Sequence, residues 1–179
     1  MKVLIISQEV WREDTNGGNV LSNIFEGIDA EFAQIYCSPG TPLNNICKLY
    51  YQMTDSMIIK NVLNNSPIGQ VIKYENFPQE QGKKQLINNE NIRFYNFFRK
   101  YSFQTFHFIK ESLWKFSEWD SKELETFIEE FNPDIIFSPC YGSHIMLSID
   151  RYVAELTKKP MISYISDDHY SLQQFSLSP

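Results

Sequence analysis

Three stretches of the chain carry residue types that can do chemistry. The first is Asp167-Asp168-His169, two carboxylates and an imidazole directly after the apolar run Met161–Ile165. Adjacent carboxylates suit a metal ion, sugar hydroxyls, or the steadying of a positive charge that develops during reaction. Consecutive residues after a strand point apart, so the pair is poorly disposed to share one metal. A metal site also needs more ligands than this cluster supplies. The competing reading is a solvated turn or helix cap, where Asp is common. The second stretch is Gly17-Gly18-Asn19, between a polar loop and an apolar-periodic helix. Glycine lets backbone approach closely, and the free N–H groups of a helix start attract anions or oxygen-rich ligands. A tight turn before a helix competes with that reading. The third stretch is Tyr141-Gly142-Ser143-His144, whose histidine is expected to face the same crevice.

Other candidates are weaker. Cys140 would need a base within hydrogen-bond reach to act as a nucleophile, and spacing alone does not orient His144 toward it; a small buried cysteine is the stronger reading. His107, between Phe106 and Phe108, reads as packed or surface histidine. Neither GxGxxG nor the Walker pattern is present, which disfavours dinucleotide and P-loop chemistry.

The elements that must position these residues follow from hydrophobic pattern. Lys2–Ser7 reads as a strand, continuously apolar from Val3 to Ile6, as a strand covered on both faces would be. After the polar loop Gln8 to Asn16, the residues Val20, Leu21, Ile24, Phe25 and Ile28 mark one helical face. Phe32–Cys37 reads as a second strand, closed by Pro39-Gly40. Thr54 is expected to cap a helix through Val62 and Leu63, stopped by Asn64-Asn65-Ser66-Pro67. Residues 67–90 read as loop with one short element at most, and 92–116 as one long helix. Asp120-Ser121-Lys122-Glu123 resembles a capping box in which the Asp accepts backbone N–H and the Glu reaches back, opening a helix on Leu124, Phe127, Ile128 and Phe131. Asp134–Ser138 is expected to be a buried strand, Ile145, Ile149, Val153 and Leu156 a helix, and Met161–Ile165 a further strand. Alternation of strand and helix predicts an α/β fold with a mostly parallel sheet. In such sheets ligands bind beyond the carboxyl ends of the strands. The loops Gln8–Asn19, Pro139–His144 and Ser166–Tyr170 all belong there.

Composition narrows the function classes. The chain has 179 residues with a net charge of −6, which argues against a nucleic-acid partner, since phosphate contacts need positive surface. With 42% hydrophobic and 21% charged residues it reads as globular rather than disordered. No apolar run approaches a membrane span. Three cysteines, Cys37, Cys47 and Cys140, without CxxC spacing suggest a reduced, cytoplasmic setting. Eleven aromatic residues lie between Phe94 and Trp119, with Arg99, Lys100, Lys110 and Lys115 against Glu111 and Glu118. Packing is one use of such a helix; peripheral contact with an anionic membrane at its inner face is the other.

The order of these features resembles the N-terminal half of GT-B glycosyltransferases of the GT4-like kind. The resemblance rests on Lys2-Val3-Leu4-Ile5-Ile6-Ser7, on Gly17-Gly18 opening the first helix, and on Phe131-Asn132-Pro133-Asp134-Ile135-Ile136-Phe137. It continues through a loop and helix to Lys159-Pro160-Met161-Ile162-Ser163-Tyr164-Ile165. It implies a Rossmann-like domain over 1–179, one half of a two-domain enzyme whose second domain holds the nucleotide-sugar donor and is absent from this chain. It implies sugar transfer, with retention, to a polysaccharide, glycolipid or other acceptor, no catalytic metal, and an inactive half when alone. Gly17, Gly18 and Asn19 then match the loop that nears the donor phosphates, Tyr141, Gly142, Ser143 and His144 the acceptor cleft, and Asp167, Asp168 or His169 the place beside the transferred sugar. A non-catalytic Rossmann-like module that binds a carbohydrate or a protein is the alternative.

Overall fold

The computed structural model describes residues 1–73, 103–140 and 143–165, and the side chains of all of these except 103–108. Six strands form one sheet: β1 (Lys2–Ser7), β2 (Glu31–Tyr36), β3 (Leu49–Gln52), β4 (Gln70–Lys73), β5 (Ile135–Pro139) and β6 (Met161–Tyr164). Five described helices flank it: α1 (Asn16–Phe25), α2 (Asp55–Asn64), α3 (Phe103–Phe116), α4 (Lys122–Phe131) and α5 (His144–Thr157). The sheet order is β4-β3-β2-β1-β5-β6. Every neighbouring pair is parallel except β3 with β4. This is a three-layer, Rossmann-like α/β domain. The chain steps outward from β1 to β4, then returns to β5 on the other side of β1. Strand order therefore reverses between β1 and β5, which is where ligands of open α/β sheets bind.

Alternation along the strands sends side chains into two cores. Leu4, Ile6, Ala33, Ile35 and Ile136 face α4 and α5, together with Trp114 of α3 and Ile58 of α2. Val3, Ile5, Phe32 and Phe137 face the other way, against Leu21 and Phe25 of α1 and the buried Trp11 of the first loop. Edge-on contacts of Phe25 with Phe137 and of Trp11 with Phe32 close that second core.

Local chemistry explains the boundaries. Thr54 caps α2 by accepting from the Met57 N–H, and Asn65 ends it in the left-handed conformation. Asn132 ends α4 in the same way. The expected apolar face of α4, Leu124, Phe127, Ile128 and Phe131, is buried throughout. Its cap differs from expectation: Ser121, not Asp120, accepts from the Leu124 N–H. With Ser121 as cap, the third helical position is Leu124, so no reciprocal Glu bond forms. On α1, Gly27 with φ 77° turns the chain out of the helix after Phe25, so Ile28 lies beyond the helix and is exposed, as is Val20. Two strands depart from the sequence expectation. Leu49–Gln52 carried no strand signal, and β4 falls in the stretch read as mostly loop. Only 103–116 of the long helix expected over 92–116 is described; the remainder lies outside the described residues.

Candidate functional site

The first loop leaves the carboxyl end of β1 and is tied down before α1 starts. Buried Gln34 on β2 donates to Ser7 Oγ (2.6 Å) and to the Glu9 carbonyl (3.0 Å), and its Oε1 accepts from the Trp11 N–H. The Trp11 indole N–H donates to Ser22 Oγ at 2.9 Å, joining loop to helix. Arg12 pairs with Asp14 at 2.7 Å, and this hydrogen bond holds the Asp14 carboxyl below its usual range. Thr15 caps α1 by accepting from the Gly18 N–H. The glycine pair thus lies inside the first turn. A Cβ on Gly18 would fall on the backbone of Arg12, and one on Gly17 would lie 3.2 Å from Glu9 Oε2. Both glycines make room for the chain's own atoms.

The second loop leaves β5 and opens α5. Ser143 sits at the N-cap with extended backbone but makes no side-chain cap bond, and the first turn of α5 holds no acidic residue. His144 is the first helical residue and is exposed. It lines a cleft of about 400 Å³ between α5 and α3, with Ser148 on one wall, Glu111, Trp114 and Lys115 on the other, and Trp119 at the end. The walls have fixed positions. The Trp114 indole N–H donates to Asp55 Oδ1 at 2.8 Å, and Lys110 pairs with Asp55 Oδ2 at 2.9 Å, so α3 is pinned to the start of α2. The rings of Trp119 and Tyr152 make a T-shaped contact, with centroids 5.5 Å apart, which ties the chain just after α3 to α5.

A third feature escaped the sequence reading. Asp150, on α5, accepts from Ser138 Oγ through Oδ2 at 2.8 Å. Its Oδ1 is the one buried side-chain oxygen or nitrogen without a partner among the described residues. Burial pushes this carboxyl up to about 6. Asp150 sits beneath the carboxyl end of β5, at a position the apolar spacing of α5 marked only as a polar gap.

The structure describes Gly17, Gly18 and Asn19 at the start of α1 and Ser143 and His144 at the start of α5, following the two central strands β1 and β5. Tyr141, Gly142, Asp167, Asp168 and His169 lie outside the described residues. Among the described residues no group of three or more His, Cys, Asp or Glu is placed to hold a metal ion. None of Cys37, Cys47 and Cys140 is disulfide-bonded; Cys47 is buried, and its thiol is pushed up to about 12 by that burial. Cys140 is only half-buried, which departs from the buried cysteine expected there. No family model, curated protein or solved structure matches the chain.

Proposed function

We propose that this chain is the acceptor-side, Rossmann-like half of a nucleotide-sugar-dependent glycosyltransferase. One observation carries the reading. Strand order reverses between β1 and β5, and α5 opens beyond β5 with His144 exposed at the rim of a cleft. In this reading Tyr141, Gly142, Ser143 and His144 meet the acceptor. Asp167, Asp168 and His169 follow β6 and meet the transferred sugar. The donor nucleotide is held by a second domain. Support at the residue level is the order of strand, glycine pair, helix and returning strands described above.

One observation favours the second reading, a non-catalytic carbohydrate-binding module. The room left by Gly17 and Gly18 is used by Glu9 and the Arg12 backbone, so both glycines have a packing reason that requires no donor phosphate. The two readings share a saccharide ligand and differ in transfer.

Equilibrium dialysis against oligosaccharides, run beside an assay of nucleotide release from UDP- and GDP-sugars, tests the proposal. The expected result is saturable saccharide binding with no nucleotide release from residues 1–179. Release by this chain alone, or no saccharide binding, contradicts it.

Peripheral contact with an anionic membrane belongs to the same reading. Ile109 and Phe116 are exposed two turns apart on α3, which supports it. Among the described residues no helix is long and apolar enough to cross a membrane. Co-sedimentation with anionic vesicles at low salt is the expected outcome; a chain left wholly in the supernatant contradicts the contact.

A further inference from the structure

The cleft between α3 and α5 has a mixed lining. Trp119 is half-buried and lines the cleft, and a T-shaped contact with Tyr152 restrains its ring. Glu111 and Lys115 are exposed on the same wall, and His144 and Ser148 are exposed opposite. Among the described residues, no ion pair engages Glu111, Lys115 or His144. The volume of about 400 Å³ lies in the range of small-molecule sites, roughly 300–1,000 Å³.

These features select a ligand chemistry. A pyranose is amphipathic: its C–H face packs on an aromatic ring, and its edge presents hydroxyls that both donate and accept. Glu111 accepts from hydroxyls, Lys115 donates to them, and an imidazole does either. The opposite formal charges of Glu111 and Lys115 give no field that favours an anion, and a carboxylate on the wall opposes a phosphate.

We propose that the α3/α5 cleft is the binding site for one or two neutral pyranose units, with Trp119 as the stacking platform and Glu111, Lys115 and His144 as the hydroxyl contacts. The proposal rests on the reading that the chain binds carbohydrate, and it assigns the place and the residues.

Titration of the ¹⁵N-labelled chain with neutral gluco-, galacto- and manno-configured disaccharides tests it, with glucuronic acid as the charged comparator. At least one neutral disaccharide should shift the Trp119 indole N–H and the backbone signals of Lys115 and His144 saturably, while glucuronic acid gains nothing over it. W119A should weaken binding about tenfold, the size of a moderate hot spot, and W119F by less. Because Trp119 packs on Tyr152, E111Q and K115M serve as variants at exposed positions that keep the fold. Each should weaken binding with the melting temperature unchanged.

Binding that survives both W119A and E111Q overturns the proposal, as does a panel that shifts no cleft signal. Shifts confined to the start of α1 overturn this site but leave the glycosyltransferase reading standing. Cleft binding that persists while the enzyme assembled with its donor domain transfers no sugar overturns the glycosyltransferase reading and leaves this site standing.

Discussion

A carboxylate whose one oxygen is tied to Ser138 and whose other oxygen is buried without a partner destabilises the fold once it ionises. The folded-state value of Asp150, about 6, lies above its ordinary value of 3.8. The folded protein therefore holds this proton more tightly than the unfolded chain does. Stability falls as pH rises from about 4 to about 6 and stays lower above that. Asp150→Asn keeps an acceptor for Ser138 and removes the charge. It should flatten that slope and raise the melting temperature at pH 7.5 by about 2–4 °C, or about 1 kcal/mol once the solvent-facing part of Asp150 is discounted. Thermal melts from pH 4 to 8 check this; an unchanged slope contradicts it. No sequence signal marks this group. Its burial depends on how α5 folds back over β5 and sets Asp150 against Ser138, twelve residues earlier, which the polar character of Asp150 on the helix does not announce. His144, by contrast, was legible, because strand, glycine and histidine in that order place a side chain at a helix start.

Elements were legible where one local rule governed them. Thr54 before a periodic apolar run marks a cap, and Asn132-Pro133 marks a stop. At α4 two adjacent residues could cap, and only the backbone decides between them. Ser121→Ala should cost about 1 kcal/mol. Asp120→Ala, at an exposed position with no cap bond, should stay within about 0.5 kcal/mol. Urea unfolding of the two variants separates them, and equal losses would contradict the assignment. The glycine pair separates similarly. Gly18→Ala drives a methyl into the Arg12 backbone and should cost about 1–3 kcal/mol or more. Gly17→Ala meets only the flexible end of Glu9, and the gain in helix propensity, about 1 kcal/mol, offsets the crowding. Equal destabilisation in the same unfolding series would contradict the packing account of the pair. The strands β3 and β4 are short and, unlike the equally short β6, lack an apolar run directly after a helix stop to mark them. Leu49-Tyr50-Tyr51-Gln52 lacks alternation because both faces of β3 are covered: Tyr51 joins the core under α4 and Tyr50 the core under Trp11.

At the scale of the molecule, the parallel sheet and its reversal between β1 and β5 set where a ligand can act. Both central loops emerge at that edge, yet they differ in what they leave open. The loop after β1 is packed down by the buried Trp11 and by the Arg12 backbone against Gly18, whereas the helix after β5 borders an open cleft. The fold class followed from alternating strands and helices. The cleft did not, because its walls come from α3 and α5, which are separated in sequence by a helix and a strand. The central claim is that a saccharide binds at this edge. Retention of the purified chain on a printed glycan array, competed by the free saccharide, tests it most directly. The account predicts retention on a defined class of neutral saccharides that falls when Glu111 is changed to Gln. Retention on no glycan, or retention unchanged by that substitution and by Trp119→Ala, would contradict it.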